Sequence, residues 1–337
     1  MPTPVRSPSF AACCGAFLGL GAGAVRPRRA DARFLSSLTE ASLPKATATV
    51  SVSPLRQLPR SVPTALIVEG RRQPRRIENS LTSFVVTHPS ATFIVDPGVC
   101  VDVAARAVAQ LPAVLRAAVR PGADVVPTVS ALTEQGYGVA DIDFALPTHA
   151  HWDHVCGLLD LPGLPVHLHR TEHDWVTIGS VAPVGGVRDS LEGRQTIDYE
   201  LDGPPVLTFA RSHDQFGDGS VVIVDLAGHT PGSVGVLLHT AAGPVLLAGD
   251  AAWHNYQIDD IRQKSSYPGG LADENRDEAF RTLHRLHAVK DRVTIIPTHD
   301  FGAAQRLVSP SSPLPEPLPV DALRRRRISG GVDGKFS

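Results

Sequence analysis

The chain has 337 residues, 42% of them hydrophobic and 20% charged, with a formal net charge of −2. That balance fits a globular protein with a sizeable core and excludes a wholly disordered, collagen-like or multi-span membrane chain. Near-neutrality argues against a non-specific nucleic-acid binder, and four cysteines without a CxxC spacing argue against a disulfide framework.

Residues 1–60 read as an N-terminal extension, either disordered or a targeting segment. Residues 1–30 contain no Asp or Glu, and an Ala- and Gly-rich apolar stretch from Phe10 to Val25 is followed by Arg26, Arg28 and Arg29. The stretch is too short and too Gly-rich for a stable membrane span. It is similar to the apolar region of a signal peptide, with Ala30-Asp31-Ala32 as a cleavage site, but the Arg cluster stands on the wrong side of it. A cytoplasmic location is slightly favoured, with export or organelle targeting from residues 1–32 as the alternative. Residues 46–63 read as an extended lead-in.

A regular pattern begins near Thr64. Short β-rich runs are predicted at Ala65–Glu69, Leu81–Thr87 and Thr92–Val95, the last closed by the turn Asp96-Pro97-Gly98. Helices are predicted over Val103–Val119 and Val129–Gln135, then a strand over Asp143–Pro147. Further strands are expected at Pro165–His169, Val206–Ala210, Ser220–Asp225, Ser233–His239 and Pro244–Ala248. An amphipathic helix over Asp273–Val289 and a strand over Arg292–Pro297 close the series. The expectation is one α/β domain over residues 61–308 and a disordered Pro- and Arg-rich tail over 309–337.

The densest chemistry lies directly after the strand 143–147. His149, His151, Asp153 and His154 place four metal-capable side chains within six residues. Alternation puts His149 and His151 on one side of an extended segment, and the following turn lets Asp153 and His154 reach a second position. Imidazole and carboxylate suit zinc and similar divalent ions. Three later strand ends add His229 in Gly228-His229-Thr230-Pro231-Gly232, Asp250 in Leu246-Leu247-Ala248-Gly249-Asp250, and His299 after Pro297. A carboxylate at the end of a buried strand is costly unless it is paired or metal-bound. Asp96 is expected to support this site by hydrogen bonds. The histidines at 167, 169 and 173 read as packing or surface residues, and His284 and His287 as part of a solvated helix face.

The ordered set HxHxDH, GHTPGS, LLAGD and a final His resembles the metallo-β-lactamase superfamily. The resemblance spans about residues 64–302 and implies a four-layer αββα sandwich with a dinuclear metal site at one edge of two packed sheets. By position it implies that His149, His151 and His229 hold the first metal. Asp153, His154 and His299 would hold the second, with Asp250 bridging the two. It implies two divalent ions, zinc foremost, that activate water against a small ester or lactone, with Asp153 and Asp250 as candidates to relay a proton to the leaving group. Within the superfamily the pattern is most similar to the N-acyl homoserine lactone lactonases and related esterases. Those lactonases carry a polarising Tyr three residues after the bridging Asp; here that position is Trp253, with Tyr256 the nearest hydroxyl. A mononuclear iron sulfur or persulfide dioxygenase on the same scaffold is the alternative. The oligomeric state is left open.

Overall fold

The computed structural model describes residues 10–111, 113, 116, 121–122, 124–177 and 186–308. Two sheets form its centre. The first has six strands in the order β1-β4-β5-β6-β7-β8. These are β1 (Ser51–Pro54), β4 (Phe84–His88), β5 (Ala91–Val95), β6 (Phe144–Leu146), β7 (Val166–His169) and β8 (Thr196–Tyr199). The second has five strands in the order β13-β12-β11-β10-β9. These are β9 (Ser212–Asp214), β10 (Val221–Asp225), β11 (Val234–Thr240), β12 (Gly243–Gly249) and β13 (Thr294–Pro297). A separate two-stranded ribbon joins β2 (Arg60–Pro63) to β3 (Arg76–Asn79).

The strands are apolar on both faces, as expected for sheets covered on both sides. Alternate residues go to different cores. Phe84, Val86, Phe93 and Val95 point inward to meet Ile223, Val236, Leu238 and Leu247 of the second sheet. Their neighbours Val85 and Ile94 point outward and pack under Val103, Leu132, Val155 and Leu158 of the helical segments. On the far side Val222, Val224 and Leu246 are covered by Phe280, Leu283 and Leu286 of the helix Arg276–Val289. Three apolar layers between four layers of structure make the αββα sandwich that the resemblance implies.

Several expectations are corrected. Residues 65–69 are not a strand: Thr64–Ile67 is a short helix entered from Pro63, and Val68 makes only an isolated bridge to Lys264. Residues 206–210 form a tight turn with Leu207 at φ 51° and a lone bridge from Val206 to Phe209. Their apolarity serves burial beneath the helix Arg276–Val289, not a ladder. The helix expected over 103–119 is interrupted: Val103–Arg106 is helical, Val108–Gln110 is a tighter turn, the chain leaves the helical region at Leu111, Ala113 and Arg116 are helical again, and the other residues of 112–119 lie outside the described residues. Pro112 follows Leu111, and the residue before a proline is pushed out of the α region.

Parts of the extension, for which disorder or a targeting segment is expected, are ordered. Ser51–Pro54 is an edge strand paired with β4, and Arg60–Pro63 pairs with β3, so the folded unit begins ahead of residue 61. Upstream, Phe10–Val25 is a helix lying on the body, where Ser266 Oγ donates to the Ala16 carbonyl. The tail over 309–337 lies outside the described residues.

One glycine sets how the His229 loop meets the rest. Gly228 has φ 129°, and a Cβ there would lie 2.2 Å from the Ala279 nitrogen. The loop thus rests directly on the start of the helix Arg276–Val289, where Asn275 N–H donates to the Gly228 carbonyl at 2.9 Å. Gly228→Ala is expected to cost at least about 2 kcal/mol from backbone strain and overpacking. Thermal melting should show this as a Tm lowered by several degrees.

Candidate metal centre

Five strands of the two sheets end at one edge, and each end delivers a functional side chain. Asp96 follows β5, the run 149–154 follows β6, His229 follows β10, Asp250 follows β12 and His299 follows β13. The short helix Trp152–Val155 turns Asp153 and His154 back toward the edge. The structure brings together all seven of the ligand-type residues expected from sequence. They form three overlapping groups, each with its ligand atoms within 4.8 Å of one another. These are His149, His151 and His229; His149, His154 and Asp250; and Asp153, His154 and His299.

Each ring is oriented from behind. His229 Nδ1 lies 2.8 Å from Asp273 Oδ1 and 2.8 Å from Lys264 Nζ, so the ring is held from behind with Nε2 facing the site. His299 Nδ1–H donates to the Ser80 carbonyl at 2.8 Å, with the same result. Thr148 donates its hydroxyl to Asp96 Oδ2 at 3.0 Å and lies 3.2 Å from His149 Nδ1, so His149 also turns Nε2 inward. The inward nitrogens then crowd. His151 Nδ1 lies 3.1 Å from His149 Nε2 and 2.8 Å from His229 Nε2. His299 Nε2 lies 3.0 Å from Asp250 Oδ1, and His154 Nε2 lies 3.3 Å from it.

Lone pairs facing lone pairs in a buried place repel unless a proton or a cation lies between them. Asp250 Oδ1 and His154 Nε2 are buried, 3.3 Å apart, and make no hydrogen bond. The donor set therefore fits divalent cations. Zinc with nitrogen ligands at about 2.0–2.1 Å in a tetrahedron spaces those nitrogens by about 3.3 Å, close to the separations found here.

The electrostatics agree. Burial, with the neighbouring imidazoles, holds His149 and His151 well below the ordinary histidine range, as neutral donors. For His154 burial works against the charged form, but Asp96 and Asp250 outweigh it and raise the imidazole well above that range. Burial likewise opposes ionisation of Asp250, yet His299 and His154 hold its carboxyl well below the usual range. A site that pulls some of its members toward cationic forms around one carboxylate is arranged for positive charge.

The supporting residues are as ordered as the centre. Asp96, at φ 52°, accepts from Thr148 N–H at 2.6 Å and from Thr298 Oγ at 3.2 Å, and its Oδ2 lies 2.9 Å from His154 Nδ1. It thus joins the ends of β5, β6 and β13, as expected. Glu172, Asp273 and Lys264 were not singled out from sequence. Lys264 Nζ is buried and donates to Asp273 at 2.6 Å, behind His229. Glu172, on the helix Arg170–Thr177, accepts from Ala150 N–H at 2.8 Å, Thr230 Oγ at 2.8 Å and Gly232 N–H at 3.0 Å. Burial pushes its carboxyl up to about 7 despite those three donors. His284 is buried, with Nδ1–H donating to the Phe280 carbonyl, and is not on a solvated face.

A cleft of about 490 Å³ opens over Asp153 and His299, walled by Leu81, Val125, Trp152, Trp253 and Pro268. Trp253 donates its indole N–H to Asp250 Oδ2 at 2.6 Å. Tyr256 is not among the lining residues; it stacks on His254, with the Arg71 guanidinium 3.6 Å from its ring centroid.

The chain belongs to the metallo-β-lactamase superfamily, whose family model matches residues 78–299. It is 27% identical over 227 residues to the N-acyl homoserine lactonase AttM of Azorhizobium caulinodans, covering 65% of this chain and 81% of that protein. It is 31% identical over 193 residues to a probable metallo-hydrolase of Mycobacterium tuberculosis, covering 51% of this chain and 60% of that protein. Among solved structures, the dizinc quorum-quenching lactonase AidC shares the fold with a TM-score of 0.51 at 12% identity, over 78% of this chain and 90% of that chain.

Glu172 clips the loop of His149 and His151 to the loop of His229. Glu172→Gln would turn an amide N–H₂ toward at least one of the three donors, so it is not conservative. The expected result is a loss of about 10- to 100-fold in metal affinity, measured by chelator competition. An affinity equal to that of the wild type would contradict the clip.

Proposed function

We propose that the protein is a hydrolase that opens a small ester or lactone at its carbonyl with two divalent cations, zinc foremost. The observation that carries this reading is the seven-residue convergence, with Asp250 Oδ1 and His154 Nε2 buried and without a hydrogen bond. His149, His151 and His229 would hold one cation, Asp153, His154 and His299 the other, and Asp250 both. Bound there, the cations supply a nucleophile from water near neutral pH and polarise the carbonyl. The chain's own groups do the rest. Asp96, Asp273 and the Ser80 carbonyl fix the rings, so little reorganisation accompanies reaction. Asp153 lines the cleft beside His299 and is placed to carry a proton to the leaving group. Leu81, Val125 and Trp152 exclude water and receive the acyl portion. Trp253, whose N–H is already given to Asp250, offers the substrate an apolar wall and not a donor.

The iron dioxygenase alternative finds no support among the relatives named above, which are hydrolases by name. A second ligand group around Asp153, His154 and His299 also favours two cations over one.

A screen over lactones, aryl esters, phosphodiesters and β-lactams, with metal content measured in parallel, tests the reading. The expected result is turnover of lactones or esters by protein holding about two zinc ions per chain. One iron per chain with no hydrolysis would overturn it. In the same assay Asp250→Asn, which keeps the size but loses the charge, is expected to bind both ions more weakly. Turnover should fall on the order of 10²-fold or more. Unchanged metal stoichiometry with a lowered Tm would instead mark Asp250 as merely structural.

A further inference from the structure

We infer that the helix Phe10–Val25 docks the protein on the surface of an anionic lipid bilayer. Its 16 residues carry no charge. A helix that is apolar all round belongs in a core or in lipid, yet this one is covered on one side only. Its small residues face the body: Ser266 Oγ donates to the Ala16 carbonyl at 2.8 Å, and a Cβ at Gly23 would meet Glu69 at 2.8 Å. The large apolar residues stand outward, with Phe17 54%, Leu18 79% and Val25 73% exposed. Cys14 and Ala22 are exposed with them. At about 24 Å the helix is shorter than the roughly 30 Å hydrocarbon layer. No helix among the described residues is long and apolar enough to cross a membrane. It is built to lie along a surface.

Charge identifies that surface. Residues 1–30 contain four Arg and no acid, in a chain whose net charge is −2. Arg28 is paired with Asp277 at 2.8 Å, but Arg26, Arg29 and Arg33 are exposed just beyond the helix. Arg72 joins them from the body, donating to the Ala24 carbonyl at 3.3 Å. Exposed apolar side chains bordered by arginines match acyl chains bordered by anionic headgroups. A second copy of the chain would match the apolar face but not the arginines. The helix also stands beside the cleft: Phe17 stacks on Tyr267 at 4.0 Å, and the next residue, Pro268, lines the cleft wall. Docking would bring the cleft mouth close to the lipid.

The test is flotation of the full chain, verified by mass, with phosphatidylcholine vesicles and with vesicles containing phosphatidylserine. The wild type is expected to float with the phosphatidylserine vesicles and to be released as salt rises. Leu18→Glu, at an exposed site that leaves the fold intact, should weaken partitioning at least about tenfold. Arg26→Gln and Arg29→Gln should each weaken it about fivefold on anionic vesicles alone. Hydrolysis in solution by all three should equal that of the wild type, so a failed docking test leaves the enzymatic reading standing. Wild-type protein that stays unbound on anionic vesicles would overturn the inference, as would Leu18→Glu binding as tightly as wild type. A light-scattering dimer abolished by Leu18→Glu without vesicle binding would assign the face to a second copy. A mature cellular chain found by mass to lack residues 10–25 would also overturn it.

Discussion

The structure depends on how seven donor side chains are held against one another at the edge of two sheets. His151 Nδ1 lies 3.1 and 2.8 Å from the inward nitrogens of His149 and His229, and the buried Asp250 Oδ1 stands 3.0 and 3.3 Å from those of His299 and His154. A folded protein tolerates buried unsatisfied groups of this kind only where something else is meant to satisfy them. Cations do so, and the same arrangement that makes the site costly when bare makes it a strong ligand set.

The rest of the fold can be read as the means of holding that set. Two sheets covered by helices give rigid strand ends, and open α/β sheets gather their sites at such ends. Asp96, in a left-handed conformation at the end of β5, ties three strand ends through Thr148, Thr298 and His154. Glu172 ties the two loops that carry His149, His151 and His229. Backbone strain at Asp96 and burial of an acid at Glu172 both lower stability locally. Both are repaid in precision of the rings.

Much of this was legible in the sequence because the ligands are local to strand ends. The run 149–154 and the single residues 229, 250 and 299 each follow an apolar stretch, so composition and order disclosed the site. Asp96 was legible for the same reason. What escaped reading depends on long-range pairing. Val50-Ser51-Val52-Ser53 alternates as a strand does, but the run is short and ends at Pro54, and only the pairing with β4 distinguishes a strand from an extended lead-in. The run Val206–Ala210 is apolar enough for a strand, but two prolines precede it and burial, not pairing, uses it. Glu172, Asp273 and Lys264 are not singled out by the sequence. Their partners lie tens of residues away, except for the nearby pair Lys264 and Asp273, and no local pattern marks them. Trp253 stands where the lactonases carry their Tyr, and its N–H is committed to Asp250.

The most direct measurement of the central claim is a crystal structure with anomalous diffraction collected at the absorption edge of the metal found in the purified protein. Two anomalous peaks are expected, one among His149, His151 and His229 and one among Asp153, His154 and His299, with Asp250 between them. A single peak at one of these groups, or a metal held elsewhere while Asp250 stays uncoordinated, would contradict the account.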